Sequence, residues 1–189
     1  MGTRGAFGIF KGGQTKATYN HYDSYPSGLG VELLEALSKH NIEMLNKTFD
    51  NIVLVSNDSE PTDEQIAECM KVIETGGEKD WYWLLREAQG DLDAYVVKGL
   101  KYMIDGQNFL KDSLFCEWAY IINLDENVLE IYKGFQHEPD SNRYYDDALK
   151  DEEYKNCKLI SKINLEDIFM LGDVMPETML KGKIGEDYY

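Results

Sequence analysis

Thr18 to Gly30 reads TYNHYDSYPSGLG, which gathers an imidazole, a carboxamide, a carboxylate, hydroxyls and three phenols in one short stretch. On a strand, side chains two apart share a face, so Tyr19, His21, Asp23 and Tyr25 are expected on one side and Asn20, Tyr22 and Ser24 on the other. A carboxylate beside an imidazole fixes its tautomer and raises its basicity, as a general base or an oriented metal ligand requires. His21 and Asp23 are therefore the candidate acid–base couple, and Ser24 is the candidate nucleophile if the protein is an enzyme. Ser24 lacks GxSxG surroundings and should leave the strand opposite His21, and no oxyanion donors are identifiable. A ligand-binding role would draw on Arg4, Tyr19, Asn20, Tyr25 and Gly28, because the helix start at Ser27 to Gly30 offers free amides to a phosphate or carboxylate. The same stretch also reads as a polar turn, in which Asp23 or Ser24 bonds nearby backbone and Pro26 sets the exit direction.

The elements that must position these groups follow from local pattern. TRGAFGIF, KGGQ and TKATYNHY predict a hairpin with a Gly-Gly turn, and VELLEALSKHNIEMLN predicts a helix after Pro26 and Gly28. NIVLVSND is a short apolar run. Thr62 followed by Gln65 is a capping box that starts a helix running to about Thr75. DWYWLLREAQGDLDAYVVKGLKYMIDG reads as a long helix, or a pair broken near Gly90, with Trp81, Tyr82 and Trp83 as core and rim packing. FCEWAYIINLDENVLEIYKGF predicts a second hairpin, with Trp118, Tyr120 and Ile122 on one face and Leu129 and Ile131 on the return strand. KLISKINL is a final strand before a loosely organised C-terminal segment. Strands, then helices, then strands predict a single α+β domain over residues 1–189, an antiparallel sheet built from both hairpins and covered by helices.

The formal net charge is -16, with 43% hydrophobic residues, so the acidity belongs to a folded surface. It repels phosphate backbones, and no Lys/Arg cluster offsets it, so direct nucleic-acid binding is not expected. Cys69, Cys116 and Cys157 lack CxxC spacing and are expected as reduced, partly buried thiols. His40 at a helix end and His137 in a loop show no metal-ligand spacing such as HExxH, so no metal and no cofactor are expected. No leader or membrane-spanning run is evident, which points to the cytoplasm of a host cell.

From Gln136 to Asn156 the composition turns acidic and Tyr-rich, which predicts an exposed loop with a short helix. Tyr144, Tyr145, Asp146, Asp147, Glu152 and Glu153, with Asp187, Tyr188 and Tyr189 at the C-terminal end, are the candidate partner contacts. Basic grooves reward clustered carboxylates, and interfaces reward tyrosine. The expected partner is a host protein, including one with a basic nucleic-acid groove.

MGTRGAFGIF, TYNHYDSYPSGLG and EWAYIINLDENVLEIYKG together resemble a group of small bacteriophage and prophage proteins. The resemblance spans most of the chain and is distinctive over the first thirty residues and the second hairpin. It implies an intracellular phage setting and carries no assigned activity; small acidic proteins of that setting are often antagonists of host defence, including anti-CRISPR proteins. The short strand, turn and Asn/His/Asp-bearing strand also look like the opening of N-terminal-nucleophile hydrolases such as the choloylglycine hydrolase group. Those enzymes expose Cys, Ser or Thr at the mature N-terminus, whereas removing Met1 here exposes Gly2 and leaves Thr3 one residue inside. Three functions follow: an acidic protein that occupies a host factor, a small hydrolase or nucleotide-binding protein using the Tyr19–Pro26 junction, and a phage assembly component.

Overall fold

A computed structural model describes residues 2–171 and 175–189. The first hairpin pairs β1 (Gly5–Lys11) with β2 (Gln14–Asn20) and turns at Gly12 and Gly13, whose φ of +58° and +79° suit residues without a Cβ. The chain then forms α1 (Val31–Leu37), α2 (Ile42–Asn51), β3 (Val53–Val55), α3 (Asp63–Met70), α4 (Trp81–Leu84), α5 (Leu92–Val96) and β4 (Tyr102–Ile104). The second hairpin is β5 (Trp118–Asn123) and β6 (Val128–Lys133), followed by β7 (Lys158–Asn164), α6 (Leu165–Phe169) and α7 (Pro176–Ile184).

The strands order as β2-β1-β5-β6-β7, and β3 pairs with β4 in a small parallel ribbon. The fold is α+β, as the order of elements predicts, but the main sheet is mixed. Its two hairpins meet through their first strands, which run parallel from Gly5 opposite Trp118 to Phe10 opposite Asn123. A parallel neighbour needs a crossover, and the helical stretch between Asn20 and Trp118 supplies it.

Both faces of the sheet are covered. Phe7, Ile9, Tyr120, Ile122, Leu129 and Ile131 point into the helical layer, as the alternation of the second hairpin predicts. Ala6, Ala17, Ala119 and Ile121 point to the other side, where Leu110, Cys116, Tyr144 and Cys157 close a second, smaller core. Every residue of β5 is buried, and its sequence runs without a charged residue from Trp118 to Asn123.

Several helical expectations break. The helix predicted over VELLEALSKHNIEMLN stops at Leu37 and restarts when the Asn41 side chain accepts from the amide of Met44 at 3.0 Å, a strong N-cap in the middle of an apolar periodicity. The capping box at Thr62 and Gln65 forms, and its helix ends at Met70. The stretch from Trp81 becomes short pieces divided at Gly90 (φ +75°), and Tyr102–Ile104 leaves the helical pattern to pair with β3. Trp81 enters the core, whereas Trp83 stays exposed. The C-terminal residues fold into α6 and α7, whose Leu165, Ile168, Leu180 and Ile184 join the main core.

Candidate functional site

The junction after β2 is ordered by backbone pairing more than by chemistry. Alternation ends with the strand at Asn20, and Asp23 takes a left-handed conformation (φ +50°). Strand alternation therefore does not reach Asp23, and the expected His21–Asp23 face is not formed by it. Nδ1 of His21 instead lies 2.6 Å from the phenol oxygen of Tyr19, its neighbour on the strand face. Burial pushes the Tyr19 phenol up, so it stays protonated and can donate to that nitrogen. The His21 amide donates to Oε1 of Gln89 at 3.1 Å.

Ser24 is fully buried. Its amide donates to the Thr3 carbonyl at 3.0 Å, its carbonyl accepts from the Tyr120 hydroxyl at 3.0 Å, and its Oγ accepts from Nδ2 of Asn20 at 2.8 Å. A Cβ on Gly5 would meet the Ser24 side chain at 2.6 Å and the Trp118 carbonyl at 2.3 Å, so the strand touches Ser24 directly. Ser24 is thus a packed joint between the first strand, β5 and the junction, with a carboxamide as its partner where a nucleophile needs a base.

The amides expected to seat an anion are engaged locally. Pro26–Gly30 is a π-type turn, in which Gly28 donates to the Tyr25 carbonyl at 3.0 Å and Leu29 to the Asp23 carbonyl at 2.8 Å. Gly28 is required there because a Cβ would stand 2.3 Å from the Asp23 carbonyl oxygen. Tyr25 is exposed, and Arg4 lies over the Phe115 ring at 4.8 Å. A residue that pattern reading missed, Arg86, completes the surface: its guanidinium donates to the hydroxyls of Tyr22 and Tyr82 at 2.5 and 3.0 Å and lies 4.9 Å from the Trp83 ring centre. Its signal was an arginine following an aromatic triplet at helical spacing.

The acidic loop has a different character. Glu130 on β6 is buried, and its carboxylate accepts from Nδ2 of Asn123 at 2.9 Å, from the Tyr132 hydroxyl at 2.8 Å and from both terminal nitrogens of Arg143, one at 2.7 Å. Burial pushes the carboxyl up, but the hydrogen bonds from Arg143, Asn123 and Tyr132 outweigh it and hold it below its ordinary value. Arg143 also stacks at 4.0 Å over Phe10. Tyr144, expected at the surface, is drawn inward by this fork; it is buried against Tyr132 and pairs with the Thr15 hydroxyl at 3.2 Å.

Beyond Tyr144 the side chains turn outward. Tyr145 donates to Oδ1 of Asp147 at 2.8 Å, and Asp146 caps the short turn Asp147–Leu149 while pairing with Lys111 at 2.9 Å. Asp147, Glu152 and Glu153 are exposed. The Lys155 ammonium donates to the carbonyls of Leu149 and Lys150 at 3.2 and 2.7 Å and to that of Glu152, which folds the loop around one cation. At the C-terminal end, Tyr188 meets Trp118 edge-on at 6.2 Å and Tyr189 lies under Lys181 at 4.5 Å, while Asp187 is exposed. The two sets of candidate contacts therefore belong to opposite faces of the sheet, Tyr144 to the smaller core and the partner of Tyr188, Trp118, to the larger.

His40 is buried, and its Nε2 lies 2.7 Å from Oδ1 of Asp93, which ties the α1–α2 break to α5. Among the described residues, no group of three or more His, Cys, Asp or Glu side chains converges as a metal site would require. Cys69, Cys116 and Cys157 are free and buried, as their spacing predicts. Compared with known protein families, with curated proteins and with solved structures, the chain finds no match.

Proposed function

We propose that this chain is a binding protein that acts by occupying a basic surface of another protein, and that catalysis is not its role. The observation that carries this reading is the anchoring of the acidic loop: the fork of Arg143 on the buried Glu130 carboxylate fixes it to the sheet, while Tyr145, Asp147, Glu152 and Glu153 face solvent. Between Glu138 and Glu153 stand seven carboxylates against two basic side chains, Arg143 and Lys150, and Arg143 is spent on Glu130. A loop already held in one conformation loses little entropy on binding, and its charge raises the encounter rate with a basic groove. The resemblance to phage and prophage proteins supports a host factor as the proposed partner, with nucleic-acid-handling defence proteins as the class whose grooves such a surface would block. An anti-CRISPR-like antagonist is the specific form of that proposal.

A hydrolase at the junction has less support, because Ser24 is sealed and bonded to Asn20 and His21 pairs with Tyr19. The test is affinity capture from host lysate with the wild-type chain and an Asp147→Asn/Glu152→Gln/Glu153→Gln variant. A specific partner retained at low salt, released by salt and lost with the variant is the expected result. Capture that ignores both salt and neutralisation would overturn the proposal.

A further inference from the structure

We propose that the cleft between the Gln107–Phe115 segment and the Leu149–Tyr154 stretch is an anchor pocket for one arginine or lysine of the partner protein together with an adjacent apolar side chain. This rests on the reading of the chain as an occupant of basic protein surfaces and says where its specificity resides. The cleft has a volume of about 530 Å³, in the range of about 300–1,000 Å³ usual for pockets that hold a ligand. Leu114, Phe115, Leu149 and Tyr154 supply apolar walls, and the acidic residues Asp112, Glu152 and Glu153 line the same space. Among the described residues that line it Lys111 is the one cation, and it is paired with Asp146 at 2.9 Å; Arg4 over the Phe115 ring and Lys155 behind the second wall lie beside the cleft, and with Asp112, Glu152 and Glu153 the balance stays negative.

That combination selects its occupant. A small anion is repelled, and a wholly apolar group would strip water from carboxylates without replacing it. An arginine or lysine lays an apolar stem along the walls and delivers its charged head to the carboxylates, and an apolar neighbour fills the rest. The pocket is also built before binding. The Ser113 amide donates to the Lys155 carbonyl at 3.0 Å, and the Cys157 amide donates to the Leu110 carbonyl at 2.9 Å. These bonds join the two walls, and the Lys155 ammonium fixes the carbonyls of the second. Phe115 and Leu114 remain exposed at the mouth.

The experiment is fluorescence anisotropy at low salt with a labelled short peptide of alternating arginine and leucine, and a control peptide carrying citrulline in place of arginine. The wild-type chain should bind the arginine peptide saturably and the citrulline peptide about tenfold more weakly. Phe115→Ala should weaken arginine-peptide binding about tenfold, and Glu152→Gln/Glu153→Gln by a similar factor with a shallower salt dependence. Leu114→Ala serves as a second wall variant should Phe115→Ala fail to fold by circular dichroism. Binding that falls with the glutamate variant but is unchanged in both wall variants overturns the pocket and leaves the acidic-surface reading standing. Equal binding of both peptides, indifferent to the glutamates, overturns the reading and the pocket together, and absence of saturable binding overturns the pocket.

Discussion

Glu130 shows how a single residue governs the acidic loop. Its side chain is 1% exposed yet charged, because Arg143, Asn123 and Tyr132 all donate to it. Removing one partner of such a pair strands the other, so Arg143→Ala should cost about 3 kcal/mol in urea unfolding, the low end for a buried pair because Arg143 still reaches water. Because the Glu130 carboxyl is held below its ordinary 4.5, its contribution is complete above that pH and is lost as pH falls through the lowered value. The melting temperature of the wild type should therefore fall more steeply below pH 4.5 than that of Arg143→Ala. At the junction, Ser24→Ala should cost about 1 kcal/mol by removing one of the two acceptors of the Asn20 amide and leaving it only the Tyr22 carbonyl, whereas Gly5→Ala should cost about 2–3 kcal/mol by forcing a Cβ against Trp118 and Ser24. The thiols give an independent check on burial. Desolvation pushes Cys69 up to about 11, and desolvation with the neighbouring Cys157 raises Cys116 well above its ordinary 9.0. A thiol reagent at pH 8 should label none of the three until denaturant is added.

At the scale of elements, what could be read in advance was what depends on near neighbours. Gly12 and Gly13 announce the first turn, alternation in β5 and β6 announces the second hairpin, and Thr62 with Gln65 announces the start of α3. The misreadings have tertiary causes. Tyr102–Ile104 continues a helical periodicity but pairs with β3, a partner remote in sequence. The parallel contact of β1 with β5 has no local signature, since it depends on where the intervening helices place the second hairpin. His21 and Asp23 were assigned one face because strand alternation was extended past Asn20, and the positive φ of Asp23 ends that reasoning. Tyr144 lies in an acidic run that reads as surface, and partners remote in sequence turn it inward: Arg143 beside it is held by the buried carboxylate of Glu130, and its own hydroxyl pairs with Thr15.

For the whole molecule, the net charge of -16 surrounds a chain in which both faces of the sheet are buried, and the acidic loop is the lid of the smaller core as well as the carrier of exposed carboxylates. Stability and binding are thereby joined: a variant that frees the loop from Glu130 should lose affinity even with every outward carboxylate intact. The most direct test of the account is a hydrogen-exchange footprint of the chain alone and with its captured partner. Protection confined to the Tyr145–Glu153 stretch and the facing Asp112–Phe115 segment is the predicted result. Protection of His21–Tyr25 with none on the loop would contradict it and return the function to the junction after β2.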